Sequence, residues 1–418
     1  MSVIRKLIIL IIFVIFSFIL YHLMTKRRAI KTEYGIEGFR EGALFSSPTI
    51  DGELATVKTT DVPAATTDSV NTNLPLKQYC IKGAFNAALT GKFVNTEMIK
   101  YVLYRGCRFL DFEVFSFDGE PYVAMSTDNT YSTIDTTNKI TLEDAISTVT
   151  TYGFVAPSPI NHDPLFVNLR IKTNNTKLYD KMADIIRNTL RPIDSSGNPV
   201  RGYKMHADPS GNALPVNGNT ILRDIRDKII VVLDKTYVPT YTYESPKLVK
   251  CVNMESGYDV LRKYGYSDLS KQQYTSPFVY ADGMSTDVSI MKMVMPDMGV
   301  GWTSLSRNNI YYPMVLNYGV QVMLYPFYQV DQYLGDYERA FAAGKAGFVP
   351  MGAMVTYLKG TVGGDSSVVV RPMDISGAAV NPFASQQDVS LDTKQDTNEP
   401  DLENVKRNLK DMVSSIFS

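Results

Sequence analysis

The chain has 418 residues, of which 44% are hydrophobic, enough to bury a substantial core in one large domain or two ordinary ones. Its 42 basic and 43 acidic residues give a formal net charge of -1, so no overall charge attracts nucleic acid, and we expect no nucleic-acid partner. The three cysteines are too few and too scattered for a disulfide framework or a zinc knuckle: Cys80, Cys107 and Cys251.

The N-terminus carries an apolar run typical of a membrane anchor. Residues 7–24 are almost wholly apolar and have basic residues on both sides. Such a run is about the minimum that crosses roughly 30 Å of hydrocarbon. A cleaved signal peptide is the alternative, but no small-residue cleavage site follows. We therefore expect a single-pass membrane protein anchored within residues 1–31, and the denser basic cluster after the run favours a cytoplasmic body.

Two polar segments flank the predicted domain. Residues 32–73 are rich in Thr, Ala, Ser, Asp and Pro and predict a flexible stalk, and residues 384–400 predict a disordered linker. In the last segment, 401–418, apolar residues recur at helical spacing over 402–417. Its polar face mixes acidic and basic side chains, so this amphipathic helix is expected to bind its own domain or a protein partner rather than the membrane.

Residues 74–383 form the predicted folded domain, because strand-like and helix-like segments alternate along it, as in a parallel sheet wrapped by helices. The predicted helices begin at the capping residues Asn95 and Thr141 or span 177–190 and 336–343. Residues 237–272 are Tyr- and Lys-rich and are assigned to loops and one helix. The predicted strands lie at 79–81, 108–115, 122–125, 165–171, 228–233, 319–324 and 347–349, the last two being interpreted as the final inner strands.

Several short segments then match a known family in order and spacing: 89–91, 105–108, 118–121, 319–321 and 347–350. Together they resemble the phosphoinositide-specific phospholipases C, with an X half in residues 74–173 and a Y half in 319–350. The resemblance implies a TIM-type (β/α)8 barrel of the PLC-like phosphodiesterase kind, here preceded by one transmembrane helix. In that family two histidines and a calcium ion cleave a phosphodiester by acid–base and electrostatic catalysis.

The resemblance also indicates that the catalytic histidines are missing. Their positions fall on Phe85 and Thr127, neither of which exchanges a proton near neutral pH. The three histidines of the chain lie elsewhere: His22 in the anchor, and His162 and His206 in loops. We therefore expect no catalytic residues.

The family's metal site is matched in part. Asn86, Asp111 and Glu113 match ligand positions, and the alternation of a strand points both carboxylates into the barrel. The fourth ligand, a Glu in the family, falls on Arg170. Our hypothesis is an internal ion-pair cluster in which Arg170 replaces calcium, so no metal and no cofactor are expected.

The alternative is that the two carboxylates pair with Arg108 or Lys172 at the barrel rim. Substrate recognition is also altered, because the family's Arg and Tyr positions carry methionines in a group that we interpret as core or partner surface: Met291, Met293, Met295 and Met298.

These features predict a membrane-anchored, non-catalytic barrel that acts as a binding or structural module. The other hypothesis is a surviving phosphodiesterase that acts on phosphoinositides or other phosphodiesters, with His162 or His206 delivered by a loop and calcium on Asp111 and Glu113. The arrangement of anchor, stalk, barrel and terminal helix resembles membrane proteins of large DNA viruses or protists.

Overall fold

The computed structural model describes residues 49–59, 62–126, 134–173, 175–269, 271, 290–297, 308 and 311–362. The predictions for the anchor 7–24, the linker 384–400, the helix 402–417 and Thr127 lie outside these residues. Within the described ranges, no helix has both the length and the apolar character that a membrane span requires.

Eight parallel strands close into a barrel. The strands in chain order are β1 Tyr79–Ala84, β2 Phe109–Phe117, β3 Glu120–Ala124, β4 Ile140–Thr141, β5 Leu165–Ile171, β6 Ile229–Asp234, β7 Met254–Gly257, β8 Leu261–Gly265, β9 Met291–Met295, β10 Val322–Tyr325 and β11 Phe348–Pro350. The barrel order is β1, β2, β5, β6, β7, β8, β9 and β10, which pairs again with β1. This is the predicted TIM-type barrel.

Helices cover the outside of the barrel. In chain order they are α1 Ile50–Val57, α2 Thr96–Tyr104, α3 Leu142–Tyr152, α4 Lys177–Leu190, α5 Tyr241–Glu244, α6 Pro246–Val249, α7 Tyr266–Leu269, α8 Tyr311–Leu316, α9 Gln332–Gly344 and α10 Met351–Val362. The predicted caps are confirmed: the Asn95 side chain accepts from Glu97 N at 2.9 Å, and Thr141 Oγ1 accepts from Asp144 N at 2.9 Å. These side chains satisfy amide groups that the first helical turn leaves free.

The sequence prediction was wrong about how the barrel closes. Strands β7 and β8 lie within residues 237–272, which we assigned to loops and a helix. They are only four and five residues long and no helix separates them, so the strand–helix alternation fails there. The predicted strand 347–349 overlaps β11, which runs antiparallel to β1, with Val349 opposite Cys80. The eighth barrel strand is therefore β10.

The barrel interior changes character along its axis. Its apolar core includes Phe109, Phe166 and Phe348, whose rings contact one another near the N-terminal ends of the strands. Toward the C-terminal ends the inward positions of β2 and β5 are polar or charged. This end, which we call the mouth, is where TIM barrels carry their functional residues.

The described part of the predicted stalk packs on the barrel instead of extending from it. Helix α1 is joined to the loop after β1, because Glu53 Oε2 accepts from Thr90 Oγ1 and from Lys92 N, both at 2.9 Å. Residues 62–73, which we call the strap, then cross the opposite end of the barrel, the base. The strap is held largely by hydrogen bonds, with Ala65 buried in the apolar core, so its polar composition gave little sign of this docking.

Candidate functional site

The two matched carboxylates and Arg170 lie side by side at the barrel mouth. Strands β2 and β5 are paired in parallel so that Glu113 lies opposite Arg170 and Asp111 lies opposite Asn168. The side chains of Asp111, Glu113 and Arg170 are 0% exposed. The strand register therefore places a buried guanidinium between two buried carboxylates.

Arg170 binds both carboxylates at once. Its Nε and Nη2 donate to the two carboxylate oxygens of Asp111 at 2.9 and 2.7 Å, and its Nη1 donates to Glu113 Oε1 at 2.6 Å. Nη2 also donates to Asn86 Oδ1 at 2.8 Å. The predicted ion-pair cluster is thus present, and we call these four residues the Arg170 cluster. A two-pronged guanidinium–carboxylate contact is among the strongest polar contacts that proteins make.

The alternative pairing of the carboxylates is confirmed for Lys172 and wrong for Arg108. Lys172 Nζ lies 3.1 Å from Glu113 Oε2, which also accepts from Ser126 N at 2.9 Å. Arg108 immediately precedes β2 and lies at the base of the barrel. Its guanidinium donates to Gly153 O and to Ser158 Oγ, both at 2.8 Å. Glu113 therefore has two cationic partners, and Arg108 is not one of them.

Aromatic rings surround the guanidinium. The Phe85 ring, at the position where the resemblance predicts a histidine, has its centroid 4.8 Å from Arg170 Cζ. Tyr237 and Tyr328 are further neighbours, and burial raises the pKa of Tyr237 to about 12. A ring face over a desolvated guanidinium contributes about 2 kcal/mol. Phe85 therefore packs against the guanidinium of Arg170.

The charges of the Arg170 cluster hold each other in the ionised state. Burial by itself would raise the pKa of Glu113, but the charges of Arg170 and Lys172 bring this pKa below its ordinary value. Burial likewise opposes the charge of Arg170, and Asp111 and Glu113 raise its pKa well above the ordinary value. The paired charges of Glu113 and Arg170 therefore favour the ionised state of each.

Further polar contacts extend across the mouth. Asn168 Nδ2 donates to Asp111 Oδ1 at 2.8 Å, and Ser256 Oγ donates to Asn168 Oδ1 at 2.9 Å. A separate pair joins Lys263 Nζ to Asp234 Oδ2 at 2.7 Å. These ion pairs contain equal numbers of positive and negative side chains. The three cations are Arg170, Lys172 and Lys263, and the three carboxylates are Asp111, Glu113 and Asp234.

The matched ligand positions do not fit calcium. Calcium takes about 6–8 oxygen ligands. Here both Asp111 oxygens and Glu113 Oε1 accept from Arg170, and the guanidinium occupies the side of the carboxylates that faces β5. A divalent cation there would meet a fixed positive charge. Among the described residues, no group of three or more His, Cys, Asp or Glu side chains could hold a metal ion.

The two loop histidines lie at the base, away from the mouth. His162 precedes β5, and its Nδ1 is 2.9 Å from Asp227 Oδ1 on the surface. His206 follows Met205, which bridges to Ile229 at the start of β6. A strand rises about 3.3 Å per residue, so the five steps from Leu165 to Arg170 alone span about 16 Å. Neither histidine reaches the matched carboxylates.

The methionines of β9 are core residues. Met291, Met293 and Met295 are at most 2% exposed and belong to the apolar interior of the barrel. Met298 lies outside the described residues. This is one of the two roles that the sequence predicted for the methionine group.

Sequence reasoning missed Tyr237, Tyr328, Asn168 and Lys263. Tyr237 and Lys263 follow or lie on strands near the mouth, and the rule that strand C-termini line a TIM-barrel site would have marked them. Applying that rule requires the strands to be predicted correctly, and β8 was not predicted as a strand. Tyr328 follows β10 in a segment without any distinctive motif.

The comparisons with known proteins agree with the resemblance seen in the sequence. Residues 72–195 match the family model of the phosphatidylinositol-specific phospholipase C X domain. The resemblance is therefore confirmed for the X half, where residues 72–195 are similar to a phospholipase C X domain. The Y half at 319–350 stays a prediction. No curated protein matches the chain.

Solved structures with a similar fold include PLC21 from L. pealei, which is 17% identical over 73% of this chain and 42% of its own, with a TM-score of 0.47. PLC21 from S. officinalis is 16% identical over 68% of this chain and 38% of its own, with a TM-score of 0.46. A calcium-dependent phosphoinositol-specific phospholipase C from Pseudomonas sp is 13% identical over 68% of this chain and 98% of its own, with a TM-score of 0.40. This chain thus spans about two fifths of the two PLC21 chains.

Proposed function

We propose that this chain, whose residues 72–195 match a phospholipase C X domain, is a membrane-anchored, non-catalytic barrel that serves as a binding or structural module. The observation that carries the proposal is the set of hydrogen bonds from Arg170 to both Asp111 and Glu113. In the resemblance these carboxylates are calcium ligands, and here they are neutralised by a side chain of the same chain.

Two further features support a non-catalytic barrel. Phe85 stands where the resemblance places a histidine, and its ring lies against the guanidinium. Phenylalanine cannot act as a general acid or base, and losing one such group typically costs about 10² to 10⁴ in rate. The second is the placement of His162 and His206 at the base, which disfavours the surviving-phosphodiesterase alternative.

The membrane anchor is the second part of the proposal. It rests on the apolar run 7–24 and its basic flanks, and the cytoplasmic position of the barrel rests on the denser basic cluster after that run. The helix predicted at 402–417 is proposed to bind a protein. Alkaline carbonate extraction of the full chain and of a variant lacking 7–24 tests the anchor, and protease protection in sealed vesicles tests the side on which the barrel lies.

The catalytic question is tested with the full chain in detergent micelles. Calorimetric titration with calcium is expected to show no micromolar binding, and phosphatidylinositol hydrolysis is expected to stay at the background rate. Hydrolysis by the wild type that disappears in Asp111→Asn would instead establish the phosphodiesterase. Hydrolysis that persists in Asp111→Asn above the level of a mock purification would also contradict the proposal.

A reversal variant tests the reason for inactivity. Arg170→Glu supplies the fourth family ligand and is expected to bind calcium, weakly because Lys172 Nζ remains 3.1 Å from Glu113. Adding Phe85→His is expected to leave hydrolysis near background, since the second histidine position is still Thr127. The matched control is Arg223→Glu, which changes charge equally at an exposed pair. Equal calcium binding by the control and by Arg170→Glu would contradict the proposed replacement.

A further inference from the structure

The strap is fastened to the base of the barrel through a carboxylate. Asp68 Oδ1 accepts from three consecutive backbone amides, Asn161 N at 3.1 Å, His162 N at 2.8 Å and Asp163 N at 2.9 Å. Nearby, Thr66 N and Thr67 N both donate to Lys345 O, at 2.9 and 2.8 Å. The strap therefore joins the loop before β5 to the loop before β11.

A second carboxylate is buried beneath the strap. Asp163 is 0% exposed, and its Oδ2 accepts from Ser69 N of the strap at 2.7 Å. Its other oxygen, Oδ1, has no hydrogen-bond partner within the described structure. A buried ionised carboxylate with an unpaired oxygen is unfavourable by several kcal/mol unless it takes up a proton.

The groups that face Asp163 do not remove this cost. The guanidinium of Arg108 is directed to main-chain oxygens and to Ser158 Oγ rather than to the Asp163 carboxylate. The charge of Asp68 raises the pKa of Asp163 and the charge of Arg226 lowers it. The partly exposed Asp227 pairs with His162. The hydroxyl of Tyr79 is engaged by the main-chain oxygen of Asn71.

We propose that Asp163 makes the strap a proton-sensitive fastening, which holds the barrel base tightly when this carboxyl is neutral and loosens when it is ionised. Docking of Ser69 excludes water from the carboxyl, and excluding water from a neutral acid is far less unfavourable than excluding it from an anion. The strap precedes β1 directly and leads back toward the predicted anchor, so the fastening would set how firmly the barrel is held to its tether. This inference does not depend on whether the mouth is catalytic.

Burial, reinforced by the charge of Asp68 and opposed by the Ser69 amide, raises the pKa of Asp163 from 3.8 to about 6. With the strap undocked, we expect the pKa to return toward the ordinary 3.8, because the carboxyl regains water and no longer faces Asp68. A proton is therefore taken up on docking, so docking becomes tighter as the pH falls through about 6 and reaches its limit below 3.8. Between a pH of about 7.5 and about 5, linkage gives a change of about tenfold in the docking equilibrium.

The experiment is amide hydrogen exchange of the full chain in detergent micelles, with protection corrected for the intrinsic pH dependence of exchange. Ser69 and His162 report strap opening, and Met323 in β10 serves as the internal control. We expect protection of Ser69 and His162 to rise about tenfold from a pH of about 7.5 to about 5, with little change at Met323. Equal protection at both pH values would overturn the proposal.

Three variants test whether Asp163 or a neighbouring group causes the pH dependence of protection. Asp163→Asn is expected to abolish the pH dependence. Asp68→Asn is expected to lower protection at every pH and to reduce the slope without removing it, because the charge of Asp68 is one of the causes of the raised pKa of Asp163. His162→Gln keeps the slope, because the imidazole lies on the surface. A slope that survives in Asp163→Asn, or disappears in His162→Gln, would assign the effect to another group. Should Asp163→Asn not fold, the wild-type slope and the His162→Gln result still decide the matter.

Discussion

Glu113 and Arg170 face each other across paired strands β2 and β5, with Oε1 of the carboxylate 2.6 Å from Nη1 of the guanidinium and both side chains fully buried. Because this pair lies in the mouth of a PLC-like barrel, its charge balance decides both the stability of the barrel end and its capacity for metal. Neutralising either partner leaves the remaining buried charges of the cluster less well compensated.

Arg170→Met is expected to destabilise the folded barrel by about 3–5 kcal/mol, the usual consequence of removing one partner of a buried ion pair. Asp111 and Glu113 would remain as adjacent buried carboxylates. The free energy of unfolding is measured by urea titration of the full chain in micelles. The control Arg223→Met removes an exposed pair and is expected to change stability by no more than about 0.5 kcal/mol. A loss of similar size in both variants would contradict the assigned role of Arg170.

Glu113→Gln is expected to reduce stability at neutral pH but not in strong acid. The pKa of Glu113 is lowered in the folded state from its ordinary 4.5, so its stabilising contribution is fully present above pH 4.5 and is lost as the pH falls through the folded value. The difference between wild type and variant should therefore shrink below pH 4.5. Urea midpoints measured across this range check it, and a difference independent of pH would show that the charge of Glu113 is not responsible.

Glu338→Gln is expected to destabilise the attachment of α9 to the barrel by about 3 kcal/mol, because two cations lose their buried partner. Glu338 is 1% exposed at the side chain and lies 2.8 Å from Lys82 Nζ and 2.6 Å from Arg105 Nη2. The matched control on the same helix is Asp336→Asn, whose partner Arg339 is exposed. The control should change stability by less than about 1 kcal/mol. Thermal unfolding of both variants measures the contrast, and equal melting temperatures would contradict it.

Gly347→Ala is expected to displace β11 from the barrel base. A Cβ at this position would lie 2.5 Å from Arg108 Cγ and 2.6 Å from Gly106 O, too close for either group. Overpacking of this kind costs about 1–3 kcal/mol. Gly360→Ala in α10 meets no atom within 4 Å and should instead stabilise the helix, by up to about 1 kcal/mol. Urea unfolding measures the stability of both variants. A Gly347→Ala variant as stable as the wild type would mean that β11 can shift to make room for the added Cβ.

Much of the first half of the barrel could be predicted because local signals there agree with the tertiary structure. Strand β5 and helix α4 have the predicted bounds, since an unbroken apolar run and a clear helical stripe each define one element. The turn at Asp118 and Gly119, both at positive φ, also follows from local preference. The short strands β7 and β8 and the antiparallel pairing of β11 could not be predicted, because they depend on neighbouring strands distant in sequence.

The candidate site divides in the same way. The sequence by itself determined which side chains are present. Phe85 and Arg170 stand where the resemblance predicts a histidine and a glutamate, and the alternation of the strand turns the two carboxylates inward. Only the tertiary structure decided which charges meet, because pairing depends on strand register and on how far each side chain reaches. It placed Lys172 beside Glu113, directed Arg108 to the base, and buried Asp163 under a strap that composition alone presents as a polar stalk.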